Sequence, residues 1–324
     1  MSRLTISIAM CTYNGEKYLQ EQLDSIVNQS RLPNELIVCD DNSSDQSISI
    51  LERFSVLAPF SVRIFKNQAN MGSTKNFEKA ITLCEGDIIA LSDQDDVWHD
   101  DKLKLIEEVF NSSKQVGAVF SNGNIVSEDL SSLGHTLWDT YDFREKNRIK
   151  FLNGKAFELI LNHNVITGAT LAFRSSFRNK ILPISPLWVH DSWIAFLFSI
   201  ISSIKFIDKT VIEYRQHKNQ QIGGIEKKFT EQIALSHSVT DYSVQIQQYK
   251  RIIEHISKYK LDSKSSFVPK ISEKIEHLSN RQKIYQLNLF VRMIKSFIEL
   301  IRLRYHSYSG GYKSFIKDIF TVYK

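Results

Sequence analysis

The segment Ser92-Asp93-Gln94-Asp95-Asp96-Val97-Trp98 places three carboxylates within four residues, directly after the apolar run Ile88-Ile89-Ala90-Leu91. That run reads as a buried strand, so the acids stand where the strand leaves the core. In extended geometry Asp93 and Asp95 point to the same side. Two carboxylates roughly 5 Å apart repel by about 3 kcal/mol at an effective dielectric near 20. A divalent cation removes that penalty and turns the cluster into a phosphate-binding device; a solvated acidic turn is the bland reading of the same residues. Two other strand ends carry polar groups, Thr12-Tyr13-Asn14 and Asp40-Asp41-Asn42. A carboxylate such as Asp41 can accept from the N3–H of a uracil or thymine ring, and Tyr13 can supply an aromatic face.

These groups need a scaffold that brings strand ends together. Strand-like segments at Leu4 to Met10, Glu35 to Cys39, Val62 to Phe65 and Asp87 to Leu91 alternate with helical spacing at Tyr18 to Val27, Ile48 to Phe54 and Phe77 to Cys84. Alternating β and α units predict an α/β fold, a parallel sheet with helices on both faces. Ligands in such sheets bind beyond the carboxyl ends of the strands, where all three polar motifs fall. From Val116 to Gly224 the pattern is mixed, with strands expected at Val116 to Phe120 and Val165 to Phe173, and helices at Phe157 to Leu161 and Trp193 to Ile201. After Gly223-Gly224 the composition shifts to Lys, Gln, Ser and Ile with helical periodicity. Residues 1–224 are therefore read as one domain with halves 1–110 and 111–224, and 225–324 as a basic helical extension.

The 324 residues, 42% of them hydrophobic and 24% charged, can bury a sizeable core. No apolar run is long enough to span a bilayer, and the chain opens on a strand-like segment rather than a secretory leader. Cys11, Cys39 and Cys84 have no metal-type spacing and suit buried thiols, so a cytoplasmic location is expected. Net charge is +5, but from Glu226 onward 18 Lys and Arg face 9 Asp and Glu. A basic tail on an acidic body predicts an anionic partner, nucleic acid or a membrane surface. Its apolar stripe (Leu287, Phe290, Ile294, Phe297, Ile298, Ile301) suits a core-facing helix; Arg292, Lys295, Arg302 and Arg304 nearby make an interfacial membrane helix the alternative. There is no glycine-rich phosphate loop, no GxGxxG turn and no zinc pattern.

The motifs, in this order, resemble family 2 glycosyltransferases of the GT-A fold. Ser7 to Gly15 is similar to the family's first strand and Glu35 to Asp45 to its second. Asn70-Met71-Gly72 with Lys75-Asn76 resembles its asparagine–glycine and arginine–asparagine element. Ser92 to Trp98 resembles its metal motif in the form common among bacterial rhamnosyltransferases. The resemblance covers about residues 4 to 220 and implies that 1–110 is the nucleotide-sugar-binding half and 111–224 the acceptor half. It implies that Asp41 contacts the nucleobase, with Tyr13 and the Thr12 backbone lining that pocket and Asn70 and Lys75 in the donor site. It further implies that Asp93 faces the ribose or a metal-bound water. Asp95 would ligate a divalent metal, Mn²⁺ or Mg²⁺, with His217 as the late histidine completing its shell or meeting the diphosphate, flanked by Arg215 and Lys218. Gly168 resembles the glycine turn near the donor sugar.

Val189-His190-Asp191-Ser192-Trp193 resembles the segment that supplies the catalytic base, with His190 where the family often has glutamate. Inverting transfer needs one carboxylate to take the acceptor's proton, and Asp191 suits that role; capping a helix that starts near Ser192 is the structural reading. Trp98, Trp188 and Trp193 are expected to line the acceptor cleft, core packing being the other reading of Trp98. The expectation is an inverting, metal-dependent glycosyltransferase. Its donor would be dTDP-L-rhamnose, with UDP-hexoses open, and its acceptor a cell-surface polysaccharide or lipid-linked glycan, with peripheral contact at the inner membrane face and no nucleic acid. Rival readings are a nucleotidyltransferase, which usually carries a glycine-rich basic loop after its first strand, and a non-catalytic nucleotide- or nucleic-acid-binding module.

Overall fold

A computed structural model describes residues 3–218, 220, 241–262 and 266–320. The described residues fall into two compact units, divided as Met1–Ala156 with Asn164–Gly224 and Phe157–His163 with Ile225–Lys324. The domain boundary expected at Gly223-Gly224 lies outside the described residues, and the short segment 157–163 joins the second unit rather than the first.

The first unit opens with strict alternation: β1 (Ile6–Thr12), α1 (Leu19–Val27), β2 (Glu35–Asp40), α2 (Ser47–Leu57), β3 (Ser61–Lys66), α3 (Ser73–Leu83) and β4 (Ile88–Ser92). Then follow β5 (Val97–Trp98), α4 (Lys102–Ser112), β6 (Val116–Val126), β7 (Ser132–Thr136) and the short helices α5 (Leu137–Thr140) and α6 (Glu145–Lys150), after which α7 (Ala156–Asn162) passes to the second unit. β8 (Ala172–Arg174), α8 (Arg178–Ile181), α9 (His190–Ile201) and β9 (Ser203–Arg215) complete the first unit. The sheet order is β3-β2-β1-β4-β8-β6-β9-β5, with β7 on β6. The pairs β3-β2, β2-β1 and β1-β4 are parallel and β8 is antiparallel to both its neighbours. β1 leads to β2 on one side and lies beside β4 on the other, so the order reverses between β1 and β4. That switch point is where an open α/β sheet leaves a crevice.

Period-two alternation sets the two faces. Ile6, Ile8 and Met10 of β1 join Leu36, Val38, Ile88 and Ala90 in a core with Leu19 and Leu23 of α1, Leu51 of α2 and Phe110 of α4. Helix α3 packs on β1 and β2, and α9 packs on α3. The segment Val165 to Phe173, expected as one strand, pairs only from Ala172. Gly168–Thr170 is instead a single 3-10 turn closed by Thr170 N–H donating to the Thr167 carbonyl. This break turns the chain toward α9.

The second unit is helical: α7 with α10 (Ser243–Lys258), α11 (Phe267–Ile284), α12 (Leu289–Ile301), α13 (Arg304–Tyr308) and α14 (Tyr312–Phe320). Buried Lys274 of α11 donates to the Leu161 and Asn162 carbonyls at the open end of α7, a cation on orphan helix carbonyls. The apolar stripe of the tail does not face a core. Phe290, Ile294, Phe297, Ile298 and Ile301 are all exposed, while Arg292, Ser296 and Glu299 of the same helix are buried.

Gly86, ahead of β4, lies against β1. A Cβ there would stand 2.6 Å from Ser7 Oγ and 2.8 Å from Ser7 N, and its own N–H already donates to Ser7 Oγ at 2.7 Å. Backbone cannot retreat as a side-chain tip can. Gly86→Ala is therefore expected to cost about 1–3 kcal/mol through overpacking, read as a lower urea midpoint; an unchanged midpoint would show that the two strands separate freely.

Candidate active site

A cavity of about 350 Å³ opens at the carboxyl ends of β1, β2 and β4, at the switch point. Of the residues expected from sequence, Thr12, Tyr13, Asp41, Asp93, Asp95, Gly168, Asp191 and His217 line it.

At the β1 exit, buried Thr12 donates its hydroxyl to Asp40 at 2.8 Å, and Asp40 also accepts from the Ser43 N–H and hydroxyl. The Tyr13 ring is 41% exposed at the cavity mouth. Its backbone is held on both sides by Gln94, whose Oε1 accepts from Tyr13 N–H at 2.8 Å and whose Nε2 donates to the Tyr13 carbonyl at 3.1 Å. Gly15 makes room for this clasp, since a Cβ there would lie 2.2 Å from Gln94 Oε1.

Asp41 is a hub. Its Oδ1 accepts from Asn67 Nδ2 and Met71 N–H, and its Oδ2 from Gly72 N–H, each at 2.8 Å. A carboxylate offers about four lone-pair directions, so one remains on Oδ2 for a ligand N–H. The Asn70-Met71-Gly72 element thus acts through backbone amides. The Asn70 side chain accepts from Gly72 N–H within its own turn and does not line the cavity. Lys75 is likewise outside it, its ammonium donating to Glu78 at 2.8 Å and to the Ile184 carbonyl at 2.9 Å.

The β4 exit carries the acids. Burial, then the nearby Asp95 and Asp191 carboxylates, push Asp93 up to about 7. Asp96 is fully buried and pushed well above the carboxylate range by burial and by Asp95 and Asp93; one oxygen accepts from Arg215 N–H and the other has no partner among the described residues. Asp95 Oδ2 lies 2.7 Å from His217 Nε2, and the His217 ring leans on Tyr18 at 4.8 Å. Arg215, expected beside an anionic ligand, is instead 1% exposed and structural, its guanidinium donating to the Asp95 and Glu128 carbonyls and to Glu21.

In the same cavity, Asp191 stands in the first turn of α9, whose N-cap is Val189 rather than Asp191. Its Oδ2 accepts from Gly168 N–H at 2.9 Å, and its Oδ1 accepts from the N–H and hydroxyl of Ser192. A Cβ on Gly168 would meet His190 Nε2 at 2.9 Å and Asp191 Cβ at 3.4 Å, so only glycine allows this approach. His190 is buried and stacked on Phe77 at 3.9 Å; burial holds its pKa down, and neither ring nitrogen has a hydrogen-bond partner among the described residues.

The three tryptophans do not line the cavity. Trp98 is 2% exposed, with the Lys102 ammonium 3.5 Å above its ring. Trp193 is buried and donates its indole N–H to the Ile181 carbonyl; Trp188 packs edge-on against it. Their bulk fits the core, and stacking on sugar needs an exposed face. The structure adds lining residues to which the motifs had assigned no role: Cys11, Asn76, Tyr141, Thr167, Tyr214 and Gln220. Tyr141 comes from a segment whose apolar spacing gave no signal of a site, and Tyr214 stands three residues before the expected His217.

Residues 7–179 match the glycosyl transferase family 2 model. The chain belongs to glycosyl transferase family 2. Among curated relatives, the dTDP-rhamnosyl transferase RfbG of Shigella flexneri is 30% identical over 228 residues, covering 66% of this chain and 73% of that protein. An uncharacterized glycosyltransferase, alr2836, of a Nostoc species is 28% identical, covering 66% of this chain and 65% of that protein, so the matched region spans about two thirds of its length. Among solved structures, S. aureus TarS 1-349 aligns with a TM-score of 0.53 at 16% identity over 87% of this chain and 91% of that one. A mannosyltransferase of Pyrobaculum calidifontis, in complex with GDP-Man and Mn²⁺, aligns with a TM-score of 0.51 at 17% identity over 80% and 64%. The family and these likenesses make the first unit a GT-A-type glycosyltransferase domain.

Asp93 gives a pH signature. Its folded value of about 7 lies above the unfolded value near 3.9, so between about 4 and 7 the folded chain binds more protons than the unfolded one, and stability falls as pH rises through that window. In EDTA-treated protein, Asp93→Asn should flatten the decline in urea midpoint between about pH 4 and 8, a range that runs from the unfolded value to about one unit above the folded one. Parallel curves for the two proteins would show that Asp93 ionises normally.

Proposed function

We propose that this chain is an inverting glycosyltransferase that moves a sugar from a nucleoside-diphosphate donor to an acceptor hydroxyl, with Asp191 as the base. The observation that carries this reading is that Asp191 lines the same cavity as the Asp93, Asp95 and His217 cluster. Asp191 is oriented by the backbone N–H groups of Gly168 and Ser192. It takes the proton of the acceptor hydroxyl as that oxygen attacks the anomeric carbon. The bond from that carbon to the diphosphate oxygen breaks, and the nucleoside diphosphate leaves with the electron pair. One displacement inverts the centre without a covalent enzyme intermediate. Asp41 supports donor binding with its remaining lone pair toward a base N–H, beside the exposed Tyr13 ring.

Among the described residues, no group of three or more metal-ligating side chains forms. Asp95 and His217 nonetheless offer two donors, 2.7 Å apart, that would hold a divalent cation there. Held there, Mn²⁺ or Mg²⁺ offsets the charge of the departing diphosphate. The 30% identity with a dTDP-rhamnosyl transferase supports dTDP-L-rhamnose as donor, and the acceptor is read as a cell-surface glycan on a lipid carrier. No helix among the described residues is long and apolar enough to cross a membrane, and contact with the inner face of the cytoplasmic membrane is proposed to be peripheral.

Two measurements test this. A donor screen by hydrolysis and thermal shift (dTDP-rhamnose, UDP-hexoses, GDP-mannose, each with Mn²⁺, Mg²⁺ or EDTA) should give a metal-dependent response with dTDP-rhamnose. A response to a UDP-hexose alone would move the donor, and none with any donor would favour a non-catalytic binding module. Asp191→Asn should lower transfer by about 10²–10⁴-fold with nucleotide binding retained; full activity in that variant would remove Asp191 from the mechanism.

A further inference from the structure

Helix α12 is amphipathic in the reverse of the usual sense. Leu289, Phe290, Met293, Ile294, Phe297, Ile298 and Ile301 recur at three- and four-residue spacing and are exposed, Phe290 by 73% and Ile301 by 67%. The inward face is polar. Glu299 accepts from Asn280 and lies 2.6 Å from His277, with Arg304 beside it. Arg292 reaches the Tyr285, Leu287 and Ile319 carbonyls. Neighbouring α14 repeats the pattern, with Tyr312, Ile316 and Phe320 exposed and Asp318 buried against Arg281, Tyr285 and Tyr305. A water-facing helix inverts these faces, and a monomer rarely leaves so much contiguous apolar surface to solvent.

Charge identifies what covers the face. Between Lys283 and Phe320 the only acids are Glu299 and Asp318, both buried and paired, whereas Lys295, Arg302 and Lys313 are exposed. The outer surface of this stretch therefore offers apolar groups and cations with no anion. A second copy would set cation against cation; an anionic bilayer supplies both the apolar phase and the counter-charge. Thirteen residues of helix reach only about 20 Å, well short of the ~30 Å hydrocarbon core, so the helix lies in the interface and does not span it.

We propose that the outward faces of α12 and α14 form an interfacial docking surface for an anionic lipid bilayer. This deepens the membrane part of the reading above and stands on the second unit alone. The test is co-sedimentation of the full chain with phosphatidylcholine vesicles, with and without phosphatidylglycerol. Wild type should bind the phosphatidylglycerol vesicles. Phe290→Ser with Phe297→Ser should weaken that binding at least about tenfold, as loss of two inserted aromatics requires. Lys295→Glu with Arg302→Glu should erase the preference for phosphatidylglycerol. All four residues are exposed, and matching thermal melts confirm that the variants fold. No vesicle binding by wild type, or binding indifferent to both variants, overturns the proposal. So does an oligomer at micromolar concentration that the phenylalanine variants dissociate, because a second copy then covers the face. Donor hydrolysis is measured on the same samples without vesicles; its failure speaks against the transferase reading and leaves the vesicle result standing.

Discussion

Two residue pairs, Val97 with Glu213 and Trp98 with Ile212, tie the chain leaving β4 to the end of β9. The cavity's acidic wall depends on that antiparallel contact. It delivers Arg215 to the turn that carries the aspartates, where its backbone N–H reaches Asp96 and its guanidinium binds the Asp95 carbonyl. It also sets His217, two residues further on, against Asp95. Three aspartates so close repel by several kcal/mol unless protons, cations or buried donors intervene. The Arg215 backbone N–H on Asp96, the nearby Lys102 and a raised Asp93 and Asp96 are how the free protein tolerates them. A cationic or metal-bound ligand shifts the same balance toward the charged forms, which couples ligand entry to the ionisation of the wall.

The two carboxylates that flank this wall are held by backbone amides, to different ends. Asp41 accepts three N–H groups and fixes the loop through Met71 and Gly72, so most of its capacity is structural. Asp191 accepts from Gly168 and Ser192 and remains on the cavity wall. The 3-10 turn at Gly168 makes the second arrangement possible, because a continuous strand through Val165 to Phe173 would direct that N–H into a ladder instead of toward α9. The departure from the expected strand is thus the feature that orients Asp191.

What the sequence disclosed follows from what local pattern encodes. Alternating β and α signals, and polar residues at strand ends, predict both the sheet and the meeting of Thr12, Asp41 and Asp93 at one edge, since parallel strands share their carboxyl ends. Side-chain destinations were less legible. Trp98, Trp188 and Trp193 flank acidic motifs in sequence, but adjacency along the chain does not choose a face, and all three turn inward. Lys75 and Arg215 look available for phosphate by charge alone; carbonyl and carboxylate partners more than a hundred residues away capture them. Tyr141 follows α5, which packs on β6, and its arrival at the cavity through that tertiary contact leaves no short-range motif.

The tail shows the same limit from the other direction. A stripe at helical spacing tells which side of a helix is apolar but not which side the rest of the chain takes. In α12 the polar side wins the interior because its partners are specific. Glu299 faces His277, Asn280 and Arg304, and on the neighbouring helix Asp318 faces a guanidinium and two tyrosine hydroxyls. Burying such charges costs more than burying leucine unless every partner is present, so the arrangement is favourable only where the apolar stripe recovers its own desolvation elsewhere. In water it does not. The buried network and the exposed stripe are therefore one energetic fact, and it is this reversal of faces that the bilayer-docking proposal rests on.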